Sequence, residues 1–169
     1  ISELLNAIPA SALGLVSVSP SQVIVTQTGH ASLSTSTSAE AVTSAIDSVI
    51  SGATGPAKQA LEDARSQLSS GGEPIKIDKK LEVFQVKARA SGQATTVSKI
   101  TLSFQAGEDK VNVRIIEVIP KSVASSASLL TFLGGTPQIL QADPIVEWAF
   151  SSLGLGDRKE LSYLVHKSL

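Results

Sequence analysis

The sequence predicts an α+β chain dominated by β structure: a β-sandwich-like C-terminal domain with a helical hairpin near residues 38–70. Three observations lead there. From Pro74 onward, apolar and polar residues alternate in runs rich in β-branched side chains, the period of a strand with one buried face. Between residues 42 and 50 the period changes to that of a helix. Glycine and proline punctuate the change, at Gly52, Pro56 and Gly71-Gly72. The organisation read from this is a segment 1–73 (arm, strand and helical hairpin) packed on a main domain 74–169, or the whole as one compact unit.

Taken in order, residues 1–15 carry Leu4, Leu5, Ile8 and Leu13 at near-helical spacing, interrupted by Pro9, and read as a short helix or irregular arm. Residues 16–28 (VSVSPSQVIVTQT) alternate and read as one bent strand or two, with Pro20 at an edge or bend. A hydroxyl-rich loop follows. Val42, Ala45, Ile46, Val49 and Ile50 then form an amphipathic stripe, with Thr37 or Ser38 as the cap and Glu40 in the first turn. The second helix starts at Pro56 and carries Leu61, Ala64 and Leu68.

Strands are expected at 75–90, 98–105 and 110–118. The turn AGEDK joins the last two as a hairpin, with Ile100, Leu102 and Phe104 opposite Val111, Val113 and Ile115. SVASSASLL is a short helix or loop, and extended pieces follow near 130–133, 145–150 and 160–165. Gly154-Leu155-Gly156-Asp157 reads as the turn of a second hairpin.

Composition narrows the function. Hydrophobic residues at 42% exclude a disordered chain, and charged residues at 17% leave the exterior to be solvated by hydroxyls, of which Ser and Thr supply 37. The 14 basic and 15 acidic residues are interspersed, so there is no electrostatic footprint for nucleic acid. Absence of Cys removes disulfides, thiolate metal sites and thiol nucleophiles. No apolar run approaches the roughly 20 residues that span a bilayer. The expected link to a membrane is only through an anchor of a parent chain, outside this segment.

Three blocks occur in one order in the C-terminal half: IEVIPKSVA at 116–124, ADPIVEW at 142–148 and LGLGDRKELSYLV at 153–165. Over about residues 80–169 they resemble a domain of archaeal cell-surface and secreted proteins associated with PGF-type sorting signals. That resemblance implies an extracellular location and a β-sandwich spacer or stalk, and it carries no catalytic residue set.

The blocks also read as structural. Pro120 ends a strand because it cannot donate to a ladder, and Asp143-Pro144 signals a turn into a strand. Trp148 is expected in the core with a partner for its indole N–H, and Tyr163 as its neighbour. Lys121 packs its stem and keeps its head wet or paired with a carboxylate. With Gly156 in the second turn, these seven residues are the expected structural anchors.

Chemical alternatives have weaker support. A hydrolase would have to use His30 or His166 with one of many serines, and no G-x-S-x-G occurs. Two distant histidines give no zinc spacing. No cofactor is expected, and calcium is the remaining candidate, at Glu62-Asp63, at Glu108-Asp109 or at Asp143 with Glu147, none in an EF-hand pattern. GGEPIK and LGGTPQ lack the phosphate-loop fingerprints. The expected function is therefore a non-catalytic surface-architecture module (spacer, adhesion or assembly), with other surface domains or copies of itself as partners. The alternative is a peptide- or carbohydrate-binding module, for which exposed aromatics would be the sign.

Overall fold

A computed structural model describes residues 1–34 and 38–169. Its elements are α1 (Ser2–Ala7), β1 (Val23–Ser34), α2 (Ala39–Ile50), α3 (Gly55–Ser69), β2 (Ile77–Ala88), β3 (Ala94–Gln105), β4 (Lys110–Val118), β5 (Leu130–Leu133), β6 (Gln138–Gln141), β7 (Ile145–Leu153) and β8 (Arg158–Val165), with short 3-10 turns between some of them. The strands form two antiparallel sheets, of order β1-β2-β3-β8-β5 and β4-β7-β6. The fold is β-dominant α+β and sandwich-like.

Strand alternation assigns each sheet two faces, and each buried face has its own cover. Ile100, Leu102 and Phe104 of β3 with Leu161 and Tyr163 of β8 meet Val113, Ile115, Val146 and Trp148 of the smaller sheet, forming the central core. On the outer face of the larger sheet, Val86, Val97 and Leu164 are covered by Leu4, Leu5, Ile8 and Leu13. The N-terminal arm therefore packs against its own body. The outer face of the smaller sheet is covered by the helical hairpin, where Ile46, Ala57, Ala60 and Leu61 pack on Leu140 and Ile145. The result is four layers: arm, large sheet, small sheet, helices.

Beyond the arm, the outer face of the large sheet is polar in ladder rows. His30, Glu82 and Lys99 form one row, and Ser32, Lys80, Thr101 and Ser162 the next. A sheet face without an apolar cover is stable only with such side chains.

Several sequence expectations are corrected. Neither expected C-terminal hairpin exists, because β3 and β4 lie in different sheets, as do β7 and β8. Ile100 and Ile115 face each other across the core, not along a ladder. Alternation shows which residues point inward, and it is identical for two strands that pair and two that oppose. Both loops are arches between sheets, and they are zipped together: Ala106 N donates to Asp157 O at 2.9 Å and Gly156 N to Ala106 O at 2.8 Å. Asp109 Oδ1 accepts from Leu155 N at 2.7 Å.

The first strand is displaced as well. Residues 16–19 are not extended as a strand, Pro20 begins a 3-10 turn, and β1 continues to Ser34 through the expected loop. Thr26 and Thr28 favour strands, but the Ser-rich tail had no such signal, and pairing with β2 holds it extended. Strand β6 was not expected. Ser38 Oγ accepts from Ala41 N as the cap of α2, whereas Thr37 lies outside the described residues.

Candidate functional site

The one charged group sealed inside the sandwich is the carboxylate of Glu117, among the described residues on the inner faces. On β4 it follows Val113 and Ile115 at period two, so its side chain points into the core, where the residue is 6% exposed. Lys79 reaches it from β2, where it alternates with Ile77 and Leu81 on the inner face of the opposite sheet. Lys79 Nζ donates to Glu117 Oε1 at 2.7 Å, and Tyr163 Oη donates to the same oxygen at 3.2 Å. A buried carboxylate is tolerable only with such donors. Burial, and then the charge of Glu117, hold the Tyr163 phenol well above its ordinary range. It is a hydrogen-bond donor and not a base.

A second charged cluster sits on the opposite face of the small sheet. Arg114 on β4 donates through Nε to Glu147 Oε2 on β7 at 2.8 Å, and its other arm lies 3.4 Å from Asp63 of α3. The Glu147 hydrogen bond, with both carboxylates' charges, raises the guanidinium above its already high value. Arginine's fork suits it to tie a strand and a helix through one group.

The expected anchors fall into three places. Pro120, Lys121, Asp143 and Pro144 form one corner at the Val118–Ile145 end of the β4–β7 ladder. There Ile119 N donates to Pro144 O at 2.9 Å, and Lys121 Nζ meets Asp143 Oδ2 at 3.0 Å. Pro120 O accepts from Val123 N and Ala124 N, closing the turn. Trp148 is buried and its Nε1 donates to Gly135 O at 3.3 Å. Tyr163 is not its direct ring neighbour: Phe132 stands between, edge-on to Trp148 at 5.9 Å and tilted to Tyr163 at 6.2 Å. Gly156 stands in the β7–β8 arch at φ 82°, a conformation that disfavours side chains.

Beside Trp148 an open concavity of about 380 Å³ is lined by Gly134, Gly135, Thr136, Gln138 and Phe150. Its one titratable lining residue is Glu147, already engaged by Arg114. His30 on β1 and the residue after β8, His166, are both exposed and separated by β2 and β3. The acidic candidates for calcium have protein partners: Glu62 with Lys58, Asp63 and Glu147 with Arg114, Glu108 with Lys110, Asp109 with the Leu155 amide, Asp143 with Lys121. Among the described residues, no three His, Asp or Glu side chains converge as a metal site.

Sequence reasoning singled out neither Lys79 nor Glu117. The signal was present: each shares the parity of flanking core residues, in Ile77-x-Lys79-x-Leu81 and Val113-x-Ile115-x-Glu117, so two opposite charges were both directed inward. Comparison with protein-family models, with curated proteins and with solved structures returns no match.

Proposed function

We propose that this chain is a non-catalytic architectural module of an archaeal surface or secreted protein, a unit that spaces or joins larger parts outside the cell. The observation that carries this reading is the use made of the motif residues. Glu117 from the first block, Asp143, Glu147 and Trp148 from the second, and Tyr163 from the third are all spent on contacts between strands, sheets and helices. Glu147 edges the open concavity beside Trp148, but its carboxylate is held by Arg114, so none of these polar groups is left free in a cleft as a nucleophile or base would be. The extracellular setting rests on the resemblance of the three blocks to surface-protein domains.

The carbohydrate-binding alternative has less support, since all six aromatic side chains are buried or half-buried and offer no stacking platform. Protease treatment of intact archaeal cells expressing the parent protein tests the reading. Loss of an epitope inserted at the exposed Gly92 turn, with a cytoplasmic marker spared, is the expected result. Protection of that epitope until the cells are lysed would contradict it.

A further inference from the structure

The four sheet edges are not equally guarded. β5 and β6 are four residues long. β4 carries Lys110, Arg114 and Glu117, and its line is broken by Asn112 in the left-handed region at φ 52°. β1 differs: it runs 12 residues at the margin of the large sheet, and VIVTQTGHASLS contains no Asp, Glu, Lys, Arg or Pro. Charges and proline are the usual devices that keep an edge from pairing. The only irregularity is the bulge between Gln27 and Gly29, and the stretch beyond it is regular. There His30, Ala31, Ser32, Leu33 and Ser34 are all exposed, Leu33 to 66%.

We propose that this edge pairs with β1 of a second copy, antiparallel about a two-fold axis at Ala31, joining two five-stranded sheets into one of ten. This deepens the architectural reading by naming a partner, and it rests on that reading only for its biological setting.

The register follows from the side chains. Gly29, Ala31 and Leu33 share the face that carries Val83 and Leu81 on β2, while His30, Ser32 and Ser34 share the polar face with Glu82, Lys80 and Asp78. A two-fold at Ala31 keeps apolar against apolar: Leu33 falls opposite Gly29 of the second copy. Gly29 carries no side chain, so that place is empty; a Cβ there would stand in ordinary contact with Val83 Cγ2 at 3.5 Å. The Leu33 side chain, 66% exposed in the single chain, fills that place beside the already buried Val83 and loses its own exposure to water.

Charge agrees with an identical partner. No like charges meet along the seam, and His30 falls opposite Ser32 rather than its own copy. The row across the interface then reads Lys80, Ser32, His30, Glu82, with Lys80 on one copy and Glu82 on the other. Such isologous strand addition is a common route to closed dimers. The paired stretch is short beside a standard interface of about 1,600 Å², so the dimer dissociates on dilution.

The chain has no cysteine, so Ala31→Cys introduces a single thiol on the axis. Under mild oxidation A31C is expected to form a disulfide-linked dimer at least tenfold faster than a Ser69→Cys control. In light scattering the unmodified chain is expected to pass from monomer to dimer over a hundredfold rise in concentration. Leu33→Lys, at an exposed site, is expected to stay monomeric at every concentration while keeping the far-ultraviolet spectrum of the folded chain. A monomer at every concentration, a dimer that L33K leaves intact, or A31C linking no faster than the control would each overturn the proposal. None of these results bears on the cell-surface location, which protease treatment tests separately.

Discussion

Lys79 and Glu117 stand 2.7 Å apart across the interior of the sandwich, one on each sheet, and their ion pair ties β2 to β4 where no backbone ladder does. Exposure is unequal within the pair: the Lys79 side chain is 31% exposed, and that of Glu117 only 8%. Lysine can turn its head to water when it loses its partner. Glu117 has no such exit, and only Tyr163 remains to satisfy it.

Tyr163 makes the fold sensitive to alkali. Its phenol is raised above its ordinary value near 10, so native protein holds this proton where the unfolded chain releases it. The contribution is complete below pH 10 and is lost as pH rises from there toward the native value. The slope approaches about 1.4 kcal/mol per pH unit. Urea midpoints between pH 9 and 11.5 are expected to fall more steeply for the unmodified chain than for Tyr163→Phe. Equal slopes would show that the phenol is not protected.

Arg114 fastens the helices to the small sheet. Arg114→Met keeps the apolar stem but leaves Glu147 buried without its cation and Asp63 without its tie. A loss of about 2–3 kcal/mol is expected, less than for breaking a fully buried pair because the Arg114 side chain is 34% exposed. Hydrogen exchange should accelerate most in α3, and uniform acceleration over all strands would argue against a docking role.

The N-terminal arm is a lid on the large sheet. Leu13 is fully buried against that face, and Leu13→Ala is expected to cost about 3 kcal/mol in denaturant unfolding. Deleting residues 1–15 uncovers Val86, Val97 and Leu164 together. The truncated chain is expected to bind a hydrophobic dye and to associate more than the intact one. If truncation instead dissolved an assembly, the arm would be its joint.

The helices were the most legible part of the sequence. The stripe from Val42 to Ile50 has a period that only a helix satisfies, and Ile46, at its middle, is the buried residue of α2. Strand pairing was less legible. AGEDK and GLGD have the chemistry of tight turns, yet each carries the chain from one sheet to the other, because local turn signals do not encode which sheet the next strand joins. Trp148 as a core residue followed from its rarity and its apolar neighbours, whereas Phe132 as the ring between it and Tyr163 depends on the β5–β8 pairing, a tertiary fact. Lys79 was masked by its neighbour: in IDKKLEV the two lysines look alike, and only the alternation with Ile77 and Leu81 separates the inward one from the outward.

The most direct test of an architectural role for the buried charges is a double-mutant cycle in urea on Lys79→Met and Glu117→Leu. K79M alone strands the carboxylate and is expected to cost about 3 kcal/mol, E117L about 1–2, and the pair together less than K79M alone, because apolar replacement of both partners is nearly neutral. That pattern would establish the pair as a cross-sheet brace. Additive losses, or a K79M chain as stable as the original, would contradict it.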